Sequence, residues 1–299
     1  MSMAFASWAK MARRSTWIGL GAALVSCGCR KSGGAQRNGP HLLASKMEAA
    51  TFSLPSAKYP LPYRLYVPKG IQGKVPLLVS LHAVGGRGTD NVAQLGPDIE
   101  LLVSQRIQKA WPAFILAPQC PEGDEWINRH ASPPFRPYDL SQFRESDANR
   151  LTVALVDDLI ARYPIDAGRV YVMGFSMGGS GVWDVLMRHP GVFAAGIPIT
   201  GVGDVGRAGL LADTSIWAFH GELDEVSPVG NGRSMFDALK KYGTRARYTE
   251  YKGVGHGSVG PALDEPELFP WLFAQRRSDR AGEPQSDESG ADGAGERNR

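Results

Sequence analysis

A chain of 299 residues, 43% of them hydrophobic, can bury either one large core or two small ones. Strand-like and helix-like segments alternate from about residue 62 to residue 277 with no linker-like gap and no fixed-period repeat, which favours one α/β domain over two domains or a repeat array. The formal net charge of +3 sits largely in the termini, and no basic stripe is interleaved with aromatics, which argues against a nucleic-acid partner.

Residues 1–26 stand apart from the fold. Lys10, Arg13 and Arg14 form a positive segment, and a mostly apolar stretch over 15–25 follows that is too short to span a bilayer, the pattern of a secretory signal. The Arg13-Arg14 pair leaves both general and twin-arginine export open. The ending Leu24-Val25-Ser26-Cys27 resembles the bacterial lipobox, and that resemblance implies a lipidated Cys27 as the mature N-terminus and a lipid anchor to a membrane. Residues 27–55 are polar and small enough to read as a flexible tether. Cys27, Cys29 and Cys120 show neither metal-ligand spacing nor a disulfide framework.

The domain is expected over 56–277. Strands are expected at 63–67 and 75–82, the second a β-rich apolar run that leads straight into the glycine-rich loop 82–91. Glycine there lets backbone N–H groups approach a ligand closely. A helix follows over 92–109 and a strand over 113–117. Residues 122–144 are rich in Pro, Asp, Arg and aromatics and lack either periodicity, which reads as a binding loop forming one wall of a cleft. Trp126 is its expected substrate contact, the alternative being that its aromatics pin the loop to the core. An amphipathic helix covers 147–163.

The next stretch organises the chain. A buried strand at 170–173 runs into Gly174-Phe175-Ser176-Met177-Gly178, and a helix begins at Gly179. A Gly-x-Ser-x-Gly turn between strand and helix holds its serine in a strained conformation, with glycines where a Cβ would collide with a neighbouring element. Ser176 is therefore expected as an exposed nucleophile at the end of the sheet. Strands at 193–200, 215–220 and 247–251 and helices at 234–242 and 267–276 complete the alternation, and 278–299 reads as a disordered tail.

Nucleophile, acid and histidine should follow in that order, each in a loop after a later strand. The loop at 220–228 offers Glu222, Asp224 and Glu225, and the loop at 253–258 offers His256. Asp224 precedes Val226 and Pro228, where a short acid can turn inward, whereas Glu222 and Glu225 are expected to face water. Spacings of 48 and 32 residues between the three partners fit one strand-helix unit each.

Leu81-His82 with Gly85-Gly86-Arg87-Gly88-Thr89-Asp90-Asn91, then Ala117-Pro118-Gln119-Cys120-Pro121 with Trp126, Asp166 and Arg169, Gly174 to Gly179, His220-Gly221 with Asp224, and Gly255-His256 together resemble an α/β-hydrolase serine esterase. The group is that of predicted peptidases, phospholipase/carboxylesterases and feruloyl or polyhydroxybutyrate-depolymerase-like esterases, and the resemblance covers roughly residues 60–277. It implies a mostly parallel central sheet with helices on both faces, a Ser176–His256–Asp224 triad, and an oxyanion hole from the backbone N–H of Met177 and one from Ala83 or Val84. Ala83 stands where members carry glycine, and a methyl there would narrow the pocket or tilt its N–H. The activity implied is hydrolysis of a small or polymer-linked carboxylic ester through an acyl-enzyme, with no metal or organic cofactor. A serine peptidase of the same fold and a non-catalytic binding protein remain the alternatives.

Overall fold

The computed structural model describes residues 39–277. The expected signal, Cys27 and the 278–299 tail lie outside the described residues. After a short helix α1 (Gly39–Ala44), strands β1 (Glu48–Phe52), β2 (Leu61–Tyr66), β3 (Val75–Leu81) and β4 (Phe114–Pro118) form half of an eight-stranded sheet. The other half is β5 (Ile165–Phe175), β6 (Ala195–Ile199), β7 (Ser215–Gly221) and β8 (Ala246–Tyr251). The order is β1-β2-β4-β3-β5-β6-β7-β8, parallel from β4 onward and antiparallel at the β1/β2 and β2/β4 pairs.

The central strands are apolar without interruption because both faces are covered. Every residue of β3 is buried. Leu77, Val79 and Leu81 point with Val170 and Val172 to one face, where α4 (Asp147–Arg162), α5 (Met177–Arg188) and α6 (Gly230–Lys240) pack through residues such as Leu155, Val182 and Met235. Leu78, Tyr171 and Met173 point to the other face. There α2 (Pro97–Leu102), α3 (Gln105–Ala110), α7 (Val259–Leu263) and α8 (Leu268–Phe273) supply Ile99, Ile107, Ala262 and Leu272. The fold is that of the α/β-hydrolases.

Several boundaries differ from expectation, and three change the reading of the fold. Residues expected in a tether to residue 55 include β1, whose five residues pair in register with β2, so the folded unit starts well before residue 56. The apolar side chains of Ala50 and Phe52 pack on the core, a signal too short to stand out in a polar stretch. The single helix expected over 92–109 is two, because the chain breaks at Val103-Ser104 and Ser104 Oγ accepts the Ile107 N–H at 3.4 Å to start the second. The final helix is likewise shorter than expected, Leu268–Phe273, and α7 precedes it.

Candidate active site

Between β5 and α5, Ser176 sits at φ 58°, ψ −113°. A non-glycine residue in such a conformation costs on the order of 1–3 kcal/mol and persists only where its surroundings impose it. They do so here through close backbone contact. A Cβ on Gly174 would lie 2.5 Å from the Gly178 carbonyl carbon, one on Gly178 would lie 1.8 Å from the Leu81 oxygen, and one on Gly179 would lie 2.3 Å from the Ile199 oxygen. The start of α5 is thus pressed against the ends of β3 and β6, and the Ser176 N–H donates to Ile199 O at 2.9 Å. Ser176 does not stand exposed as expected: it is 9% accessible and opens only into a cleft.

Ser176 Oγ lies 2.8 Å from His256 Nε2, and His256 Nδ1 lies 2.9 and 3.0 Å from the two Asp224 oxygens. A carboxylate only accepts, so Nδ1 carries the proton and Nε2 is left to accept from the serine hydroxyl. Asp224 is buried at the end of β7, where its Oδ1 accepts the N–H groups of Val226 (2.9 Å) and Ser227 (2.8 Å). Burial alone would raise its carboxyl; the hydrogen bonds from His256 and the Ser227 N–H outweigh that and hold it below the usual aspartate range. The other two acids do not compete. Glu222 turns away to accept the Gly253 N–H at 2.8 Å, and Glu225 is exposed.

Opposite the histidine, β3 ends at Leu81 and the chain passes through His82 and Ala83 into a 3₁₀ turn, Val84–Gly86. Val84 and Met177 each open a helical turn, so neither amide has an acceptor within its own turn, and both residues line the cleft that holds Ser176 and His256. Ala83 sits at φ −71°, ψ 173°, extended backbone that any residue adopts, so alanine imposes no strain there. The loop needs glycine at Gly86 instead, where a Cβ would stand 2.6 Å from the His82 ring.

His82 fixes this loop. Its Nε2 accepts the Cys120 N–H at 3.0 Å, its Nδ1–H donates to Ala83 O at 2.7 Å, and burial pushes its pKa down to about 4, so the ring is neutral at physiological pH. In the sequence His82 belongs to a motif that assigns it no role. His220 was missed in the same way: buried beneath the acid loop, it donates from Nε2 to Ser227 O at 2.7 Å and thereby supports the turn that presents two amides to Asp224.

The cleft has a volume of about 370 Å³ and is walled on one side by the irregular segment after β4, through Ile127, Arg129 and Phe135. Trp126 is not part of that wall, and the expectation of a substrate contact is corrected. It is 0% exposed, its Nε1–H donates to His82 O at 2.9 Å, and its backbone oxygen accepts from Ser146 Oγ at 2.7 Å. Gly181 makes room for it, since a Cβ there would lie 2.5 Å from the Trp126 Cβ. The indole pins the loop to the oxyanion segment, and the neighbouring Ile127 reaches the ligand space.

A strained serine, a histidine and a buried carboxylate in hydrogen-bonded sequence at the strand ends of this sheet define the serine-hydrolase branch of the α/β-hydrolases. The chain belongs to the esterase PHB depolymerase family, whose model matches residues 61–210. It is 44% identical over 211 residues to feruloyl esterase B of Neurospora crassa, a match covering 69% of this chain and 67% of that protein. The crystal structure of a thermostable esterase superposes with a TM-score of 0.73 at 37% identity, over 79% of this chain and 64% of that one. Acyl-protein thioesterase 1 of Gibberella zeae is 38% identical over 56 residues, which spans 24% of its length and 19% of this chain.

Proposed function

We propose that the protein hydrolyses carboxylic esters through an acyl-enzyme on Ser176. The observation that carries this reading is the unbroken hydrogen-bond chain from Ser176 Oγ through His256 to Asp224. In the first step Oγ attacks the ester carbonyl while its proton passes to His256 Nε2, and Asp224 stabilises the imidazolium that forms. The carbonyl oxygen becomes an oxyanion beside the amides of Met177 and Val84, where preorganised donors are worth most. The tetrahedral intermediate collapses, the C–O bond to the alcohol breaks, and the alcohol leaves with the proton from His256. Water then gives a proton to His256 and attacks the acyl carbon, and the acid departs as Ser176 recovers its proton.

The similarity to feruloyl esterase B and to a thermostable esterase supports an ester over an amide substrate. The test is covalent labelling of the purified protein with a fluorophosphonate together with turnover of p-nitrophenyl esters and p-nitroanilides. Labelling and ester turnover that both vanish in Ser176→Ala are expected. Faster turnover of the anilides would favour the peptidase reading, and absence of labelling would leave a binding protein.

We further propose that the chain is exported and that Cys27 bears a lipid, because Leu24-Val25-Ser26-Cys27 closes a short apolar stretch behind Lys10, Arg13 and Arg14. Among the described residues no helix is long and apolar enough to cross a membrane, so on this reading attachment rests on the lipid. Mass spectrometry of the mature N-terminus should find a diacylglyceryl cysteine, and an unmodified chain starting elsewhere would refute the anchor.

A further inference from the structure

Thr200 follows β6 directly and combines three properties that protein interiors avoid. It is a β-branched residue at φ 52°, it is 1% exposed, and its Oγ1 has no hydrogen-bond partner. Left-handed backbone is a genuine outlier for a β-branched side chain, and a buried hydroxyl without a partner is a cost that valine, of the same shape, would not bear. The conformation is imposed from both sides. The Thr200 N–H donates to Phe219 O at 2.9 Å, and the next residue, Gly201, lies so close to α5 that a Cβ on it would stand 2.3 Å from the Gly179 carbonyl carbon. Thr200 is one of the residues that line the cleft holding Ser176 and His256.

The sheet order places Thr200 relative to the nucleophile. Val84 follows β3 and Thr200 follows β6, and these strands flank β5 on opposite sides, so the two residues approach Ser176 from opposite flanks. The scissile carbonyl oxygen turns toward the Val84 and Met177 amides, which leaves Thr200 facing another part of the substrate. Ser180, one turn along α5 from the nucleophile, lines the same cleft; its Oγ accepts the Val202 N–H at 3.0 Å and keeps its own proton to donate. Two residues that carry hydroxyl donors therefore line the cleft on the side away from the oxyanion amides.

Resting on the ester-hydrolase reading above, we infer that Thr200 is a specificity-determining residue. Its Oγ1 hydrogen-bonds an ether or hydroxyl oxygen that the substrate carries within a few bonds of the scissile carbonyl, so the preferred esters are oxygenated rather than plain aliphatic ones. A site built to pair with a substrate oxygen penalises the analogue that lacks it, because the buried group is then left alone.

The test is a cycle of isosteric esters against protein variants. On the acyl side the pair is p-nitrophenyl methoxyacetate and p-nitrophenyl butyrate; on the alcohol side it is 2-methoxyethyl acetate and butyl acetate. The oxygenated-to-plain ratio of kcat/KM is measured in the parent, Thr200→Val and Thr200→Ser, and the intrinsic reactivity of each ester cancels when ratios are compared. Thr200→Val should lower the ratio for one pair about 3- to 10-fold, the worth of one hydrogen bond, while Thr200→Ser keeps it. Thr200→Ala, free of the β-branch, replaces the valine variant should that one fail to fold, and fluorophosphonate labelling reports an intact Ser176 in each. A ratio unchanged within twofold for both pairs, with labelling retained, overturns the Thr200 assignment and leaves the hydrolase standing. Absence of both labelling and turnover in the parent overturns the hydrolase reading and this inference with it.

Discussion

Replacing Asp224 by asparagine changes one atom and should disable the site. The Oδ1 position can still accept the Val226 and Ser227 N–H groups, which lie 2.9 and 2.8 Å away and fix the side-chain orientation. The new NH₂ group then falls at Oδ2, 2.9 Å from His256 Nδ1, where two donors would meet, while Oδ1, 3.0 Å from the same nitrogen, is already shared by two amides. His256 relieves the conflict by moving its proton to Nε2, and an imidazole protonated there cannot accept from Ser176 at 2.8 Å. In a well-studied serine protease the equivalent change lowers turnover about 10⁴-fold, which corresponds to about 5.5 kcal/mol of lost transition-state stabilisation. Turnover of a p-nitrophenyl ester should be compared for Asp224→Asn, Glu222→Gln, Glu225→Gln and Ser176→Ala at equal folded fraction by circular dichroism. Ser176→Ala sets the floor. Asp224→Asn is expected about 10⁴-fold below the parent and within about a hundredfold of that floor, and both glutamine variants near the parent. Retained activity in Asp224→Asn with loss in Glu222→Gln would refute the acid assignment, and full activity in Ser176→Ala would refute the mechanism.

Gly178→Ala should cost about 3 kcal/mol or more and lower the melting temperature sharply, since its Cβ would meet a backbone oxygen at 1.8 Å, whereas Gly260→Ala, with open space around it, should stay within about 0.5 kcal/mol of the parent. Equal melting temperatures would show that α5 can shift away from β3. Burial holds His82 near pKa 4 against an ordinary 6.5, so the unfolded chain binds a proton that the folded one refuses between those values. Stability attributable to His82 is therefore complete above pH 6.5 and lost by about 3 kcal/mol as pH falls to 4. Urea unfolding at pH 7.5 and pH 5 should show a smaller difference in His82→Gln than in the parent, the remainder including His220, which burial also lowers; an identical difference would place the titration elsewhere. Trp126→Phe should destabilise by about 1–3 kcal/mol by leaving His82 O without its 2.9 Å donor. Its effect on turnover should fall on kcat through the oxyanion loop; a rise in KM alone would restore Trp126 as a substrate contact.

The elbow was legible because its glycines and serine fall within five residues. Gly174 is demanded by the turn's own Gly178 and Gly178 by the end of the adjacent β3 at Leu81, and the order serine, acid, histidine follows from the ends of β5, β7 and β8 in one sheet. Asp224 could be chosen over Glu222 for a related reason, since a short side chain just ahead of a tight turn reaches its own loop amides. The sheet was legible in its centre and not at its edge. Val75 to Leu81 is apolar at every position but Ser80 because both faces are covered, whereas Glu48 to Phe52 has only one partner strand and exposed positions that read as linker.

What could not be read from the chain are the contacts that tie distant loops to the site. Trp126 is an aromatic in a loop beside a cleft, a description that suits a ligand contact as well as a buried anchor. The difference lies with residues 44 and 55 positions away in sequence: a carbonyl on His82 that accepts the indole N–H, and a missing Cβ on Gly181 that makes the space. The same holds for Thr200. As the last letter of an apolar strand it looks like an ordinary strand end, and only the neighbouring strands reveal its positive φ and its unpartnered hydroxyl. Residues that make the chemistry possible in this fold are set by turns a few residues long, while those that choose the substrate are set by packing between elements. The first kind survives as a motif and the second does not, which is why the reaction class could be argued from the sequence and the substrate had to wait for the cleft.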